Sequence, residues 1–170
     1  MPKELHFVYD IHMDALVIFG SKYLILAVGF IAVVATLFSE RTVRNNILKL
    51  AILSFAIAFL IAFIAGYLFY DSRPFVVENV KPLIPHEPDN GFPSDHTLAA
   101  MVAATTLFVY HRKLGVLLVA LAILVGVSRI LARVHYPIDI AGGSAIAIAA
   151  TCISWTILRY LFKKSRLQQE

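Results

Sequence analysis

The sequence is short of the residues that build disulfide scaffolds, zinc sites and charged binding surfaces. One cysteine in 170 residues rules out an intramolecular disulfide and a thiolate cluster for zinc. Charged residues make up only 15 % of the chain, against about 25 % in an ordinary soluble domain. The basic ones are scattered among short loops, which excludes a nucleic-acid module. No Asp/Glu pair or His cluster has metal-ligand spacing. Internal repeats and low-complexity tracts are absent. The first 14 residues lack the apolar stretch and cleavage site of a signal peptide.

Apolar surface, in contrast, is abundant. Hydrophobic residues form 59 % of the chain, above the roughly 45–50 % of a soluble protein. They gather in five runs, about 15–38, 47–70, 94–110, 114–132 and 137–162, each near the ~20 residues a helix needs to cross the hydrocarbon. Ser21 and Lys22 interrupt the first run. Ahead of it, Leu5, Val8, Ile11 and Ala15 recur at helical spacing with charges elsewhere on the turn, the pattern of an amphipathic helix lying in the interface. The expected fold is all-α: a polytopic membrane bundle of five transmembrane helices plus an N-terminal interfacial helix, one domain over residues 1–170. Cys152 is expected to be a small buried apolar residue, and Gly142 and Gly143 to let helices approach closely.

Arg41, Arg44, Lys49, Arg112, Lys113, Lys163, Lys164 and Arg166 fall at alternate ends of the runs, and the positive-inside rule makes those ends cytoplasmic. The other polar segments then share the outer face. One is the loop 71–93, interrupted by five prolines. Another is 128–139, which holds Ser128, Arg129, Arg133, His135 and Asp139. Pro137 suits the first turn of a helix, which places Asp139 in that turn and His135 just before it. A carboxylate there can accept one ring N–H of His135 and leave the other nitrogen a free lone pair. Arg129 and Arg133, one turn apart, offer their planar forks to phosphate oxygens. Upstream, Phe92-Pro93-Ser94-Asp95-His96 ends the loop. Ser94 suits the N-cap of the next helix, whose unpaired N–H groups and positive dipole end make an anion site, with His96 projecting beside it. Ionisable groups this close to hydrocarbon are costly unless paired or put to use.

Arg73-Pro74, then Pro93 to His96, then Ser128-Arg129 with five residues to His135 and three more to Asp139, together resemble the motifs of the type 2 phosphatidic acid phosphatase superfamily. Its members are metal-independent lipid phosphatases that share a site with vanadate haloperoxidases. Within it, Arg73-Pro74-Phe75, Leu83 to His86, Phe92 to His96 and His135-Tyr136-Pro137 are most similar to the bacterial undecaprenyl-diphosphatase branch. The resemblance is close over about 70–143 and rests on hydropathy elsewhere. It implies that His135 is the nucleophile, that Asp139 orients it, and that His96 protonates the leaving oxygen and then activates water. It gives Arg73, Ser94 and Arg129 the phosphoryl oxygens. Two positions depart from the pattern. The lysine usual seven residues before the arginine is Gly66 here, leaving Arg133 or Lys81 to supply the missing charge. Asp95 stands where most of the superfamily has glycine, as it tends to in the diphosphatase branch.

The implied activity is hydrolysis of undecaprenyl diphosphate to the monophosphate at the outer, periplasmic face of a bacterial inner membrane. The expected ligands are a lipid phosphate or diphosphate and the surrounding membrane lipids. No cofactor, metal, nucleic acid or obligatory protein partner is expected. The enzymatic alternatives are a phosphatase for phosphatidylglycerophosphate, phosphatidate or lipid A 1-phosphate, and a phosphotransferase. A non-catalytic lipid-binding scaffold is the alternative outside enzymes, and the intact His135, Asp139 and His96 set argues against it. His86, Glu87 and Asp89 read as solvated loop residues.

Overall fold

The computed structural model describes the backbone of residues 3–167 and the side chains of 12–161 and Lys163. Its elements are α1 (Lys3–Lys22), α2 (Leu24–Leu37), α3 (Arg41–Leu68), the single turn α4 (Pro74–Val77), α5 (Asp95–Tyr110), α6 (Arg112–Leu131) and α7 (Pro137–Leu167). The described residues form no β-strand; one isolated antiparallel bridge joins Ser72 and Asn90 across the base of the loop.

Helix α5 is the axis of the bundle. Half of its 16 residues are buried, and α2, α3, α6 and α7 all pack on it. Its outer neighbours bury only one stripe each and turn large apolar side chains outward, among them Phe30, Phe38, Phe63, Tyr67 and Leu68. Helices apolar around most of their circumference are solvated by lipid rather than water. α3, α6 and α7 are each long and apolar enough to cross a membrane. α5 is shorter, about 24 Å at ~1.5 Å per residue, because its first turn starts beneath the loop that covers the site.

The first apolar run is not one straight span. The helix breaks at Tyr23, with a 44° bend between His12–Lys22 and Leu24–Leu37, and the pair together has the length and composition of a broken span or a re-entrant loop. The cause lies in the ladder of backbone bonds. Arg129 donates from Nη1 to the Ser21 carbonyl at 3.4 Å, an oxygen that an unbroken helix would give to residue 25. A side chain inserted into the ladder is one of the few causes of a sharp kink. The interfacial helix expected over the first 14 residues rests on Leu5, Val8 and Ile11, whose side chains lie outside the described residues; the backbone there is helical and continues to Lys22.

Contacts define the two ends of the bundle. Ser39 Oγ and His111 Nε2 lie 2.8 Å apart, so the α2–α3 and α5–α6 turns, with their basic residues, sit together. Tyr110 meets Trp155 edge-on, which brings the C-terminal half of α7 to the same end. At the other end the loop is tied to α6 and α7: Leu83 N donates to Ala132 O at 3.2 Å and Ser94 N to Asp139 O at 3.2 Å. Val17, Ile84, Ala132 and Val134 form a small apolar cluster beneath it. At Gly143 a Cβ would lie 2.9 Å from Ser94 O, so the missing side chain lets α7 pass against the start of α5. Cys152 faces outward, not into the core.

Candidate active site

The site forms where the loop meets the end of α6 and the start of α7. α6 closes with a paired backbone motif: Arg133 N donates to Ile130 O at 2.9 Å and Val134 N to Arg129 O at 3.2 Å. This is the two-bond reversal that normally uses glycine in the left-handed region; here Arg133 occupies it at φ 61. The reversal turns the Val134 carbonyl and the His135 ring toward Arg73.

Arg73 is buried and precedes Pro74 at the start of α4. It donates from Nη1 to Val134 O at 2.8 Å, from Nη2 to Asn90 O at 3.2 Å and from Nε to Asp89 Oδ1 at 2.7 Å. Its Nη1 also lies 3.2 Å from His135 Nε2. On the other side of the ring, His135 Nδ1 lies 3.2 Å from Asp139 Oδ2. A guanidinium can only donate and a carboxylate only accept, so both contacts are satisfied by one tautomer: the proton on Nδ1 and the lone pair on Nε2. Burial, assisted by the Arg73 and Arg129 charges, outweighs the opposing pull of Asp139 and holds the imidazole below its ordinary value. The ring is therefore neutral near pH 7.

Asp139 is fully buried in the first turn of α7. Its Oδ2 also accepts from Tyr136 N at 2.9 Å, while Oδ1 has no donor. The Asp71 carboxyl lies beside it; burial first, then the Asp139 charge, raises Asp71 above the usual carboxylate range. Arg129 is buried with Nε unpartnered. His96 is half-buried in the first turn of α5; burial first, then the charges of Arg129, His135, His86 and Arg73, pushes it down to about 4, so it is neutral in the free enzyme near pH 7. Ser94 is buried at the N-cap position but makes no side-chain capping bond. Its Oγ meets Thr97 Oγ1 at 3.2 Å instead, so no side chain caps the first-turn N–H groups of α5.

The structure thus gathers His135, Asp139, His96, Arg73, Ser94 and Arg129. It does not bring Arg133 to them. That side chain is half-exposed and pairs with Glu78 at 3.7 Å, because its left-handed backbone turns it away from Arg129. The shared helix face expected for the two arginines ends at Leu131. Lys81 is exposed in the loop. Position 66 is occupied by contacts of another kind: Asn90 Nδ2 donates to Gly66 O at 2.7 Å, and a Cβ there would lie 3.0 Å from Phe92 O. Neither residue expected to replace the missing charge stands in the cluster.

Four loop residues matter more than their sequence suggested. Asp89 is not merely solvated: burial alone would raise its carboxyl, but the Arg73 hydrogen bond and charge hold it below the usual range. The His86 ring meets that of His135 edge-on at 6.2 Å between centroids. Asp71 flanks Asp139. Asn90 uses every polar atom of its amide on the backbone around it. An Asn-Gly pair signals a turn, but nothing local says which backbone groups the side chain will reach.

A neutral imidazole with one nitrogen fixed and the other beside a guanidinium, at one end of a lipid-facing bundle, suits an enzyme that acts on phosphorylated membrane lipids. Comparison with known proteins makes the class definite. The PAP2 superfamily model matches residues 47–163, and the chain belongs to that superfamily. It is 36 % identical over 155 residues to a Bacillus licheniformis protein named bacitracin transport permease protein BcrC, covering 88 % of this chain and 74 % of that one. It is 35 % identical over 136 residues to the undecaprenyl-diphosphatase BcrC of Bacillus subtilis (80 % and 70 % covered). The crystal structure of Aquifex aeolicus LpxE superposes with a TM-score of 0.63 at 28 % identity, covering 91 % of this chain and 88 % of that one. The protein is a multi-pass membrane lipid phosphatase.

Proposed function

We propose that the whole chain, as one domain, hydrolyses undecaprenyl diphosphate to the monophosphate through a phosphohistidine. The observation that carries this reading is the His135 ring, held with Nδ1 toward Asp139 and Nε2 beside Arg73. Nε2 attacks the terminal phosphorus; the N–P bond forms as the bond to the bridging oxygen breaks. His96, neutral in the free enzyme, takes up a proton as the negative charge of the diphosphate enters and gives it to that oxygen, and the lipid monophosphate departs. In the second half, His96 takes a proton from water, whose oxygen bonds to phosphorus as the N–P bond breaks. Arg73, Arg129, Ser94 and the open N-terminus of α5 hold the equatorial oxygens, where charge concentrates during phosphoryl transfer.

The diphosphate substrate is favoured by the relative named undecaprenyl-diphosphatase and by Asp95, exposed in the first turn of α5, where the diphosphatase branch that the chain resembles also tends to have aspartate. The basic turns gathered at the end opposite the site favour an active site on the periplasmic face of a bacterial inner membrane. Phosphate release from a panel of lipid phosphates and diphosphates in one detergent tests the assignment. Undecaprenyl diphosphate is expected to give the highest kcat/KM; a lipid monophosphate preferred by tenfold or more overturns it.

A further inference from the structure

Three imidazoles meet in this site, and the two-histidine reaction leaves one unused. His86 lies on the loop between Pro85 and Pro88, side chain mostly covered. Its position is fixed from below: Leu83 N is bonded to Ala132 O, and Ile84 is sunk in the apolar cluster with Val17, Ala132 and Val134. That anchorage sets the ring edge-on against His135, 6.2 Å away and at 80°. The groups around it are Arg73 before α4, Arg129 on α6, His135 before α7 and His96 on α5; on its own loop, its Nδ1 lies 3.3 Å from the Glu87 carbonyl oxygen and 3.9 Å from Asp89 Oδ1.

The cationic donors of the site are also partly engaged. Arg73 has Nε and Nη2 engaged by Asp89 and Asn90, and shares Nη1 between Val134 and His135. Arg129 spends part of its fork on Ser21. Position 66 is glycine, Arg133 is turned to Glu78, and Lys81 is exposed. Phosphoryl transfer spreads charge over three equatorial oxygens, and His86, edge-on to the nucleophile's ring, is a further side chain placed to meet one of them.

We propose that His86 is a further phosphate-oxygen ligand beside Arg73, Arg129 and Ser94, donating an imidazole N–H to an equatorial oxygen of the transferring group in place of the cation absent at position 66. This rests on His135 being the nucleophile. The ring contact assigns His86 an equatorial rather than a leaving-group role. In-line displacement puts nucleophile and leaving oxygen on opposite sides of phosphorus. A leaving-group proton donor, a further ~2.8 Å hydrogen bond beyond that oxygen, would not touch the nucleophile's ring, as His86 does. In the free enzyme burial, then the Arg73 charge, holds His86 below its ordinary value; the negative charge of an entering phosphate favours the imidazolium, which keeps Nδ1–H on the Glu87 carbonyl and frees Nε2–H for the oxygen.

The test is orthovanadate inhibition of the full-length protein, with kcat/KM for undecaprenyl diphosphate measured in parallel. For His86→Ala the vanadate inhibition constant is expected to rise, and kcat/KM to fall, by about 10–100-fold, the range of a lost hydrogen bond to a charged group. His86→Gln keeps a donor and is expected to recover part of both, which separates a lost contact from a damaged fold. A wild-type protein insensitive to vanadate overturns the underlying reading of the site. Sensitive wild type with His86→Ala inhibited within twofold of it overturns this inference alone. So does a His86→Gln variant as weak as His86→Ala. A loss of turnover confined to poor leaving groups, with vanadate affinity unchanged, assigns His86 to proton donation and likewise overturns it.

Discussion

Replacing Asn90 by alanine should loosen the loop that holds Arg73, by an amount the structure allows to be worked out. The Asn90 amide accepts from Asp71 N at 2.9 Å and Phe92 N at 3.0 Å. It donates to Gly66 O at 2.7 Å and Phe69 O at 3.0 Å. Two of these partners are carbonyls at the end of α3, so one side chain clamps the loop onto that helix. The Phe69 bond is exposed and water replaces it. The other three are partly buried, and at ~1 kcal/mol each their loss is about 3 kcal/mol. On the scale of a globular domain of this length that lowers the melting midpoint by roughly 6–12 °C. Because the Asn90 carbonyl also holds Arg73 Nη2, kcat should fall too, toward the ~100-fold cost of a ~1 Å displacement of a positioning group. Asn90→Asp keeps the oxygen that accepts from Asp71 N and Phe92 N but sets a carboxylate against two carbonyls, and should be no more stable than Asn90→Ala. Thermal melts in detergent and steady-state kinetics read both effects. A midpoint shift under about 2 °C, with kcat within twofold of wild type, would refute the reasoning.

Arg133→Ala should leave kcat/KM within about twofold, since Arg133 faces Glu78 and not the site; a loss of tenfold or more would return it to the phosphate. Arg133→Gly should instead stabilise the fold by about 1 kcal/mol, because glycine adopts the left-handed conformation without the Cβ penalty, and thermal melts check it. The pH profile of kcat/KM reports the free enzyme. His135 must be neutral to attack, and its value is depressed. The acid limb of the profile, where His135 takes up its proton, should therefore have its midpoint below pH ~6.5, the ordinary imidazole value. An acid limb with its midpoint above that value would contradict the assigned environment.

How much of this was legible beforehand depended on whether the cause was local. Apolar length is local, so the long helices fall close to the runs that announced them. So is the order Pro137, Asp139, which placed the carboxylate in a first turn with His135 ahead of it. The break at Tyr23 was only half legible. Ser21 and Lys22 mark a weak point, but the bend is tied to Arg129, more than a hundred residues away. The fate of Arg133 was hidden because the residue in the left-handed reversal is arginine, where glycine would have announced the turn. Asp71, Asp89 and Asn90 gained their roles from what the folded loop brings against them, and no spacing rule carries that information.

The central claim is that His135 is the covalent carrier of the phosphoryl group. His96→Ala keeps that nucleophile but lacks the group assigned to activate water. An activated phosphate ester, whose leaving group needs no proton, should phosphorylate it and then stall. Rapid quenching with a labelled ester should trap an acid-labile, base-stable phosphoryl group on the protein, and adding His135→Asn should abolish it. Label that persists with His135→Asn would place the nucleophile elsewhere and contradict the account.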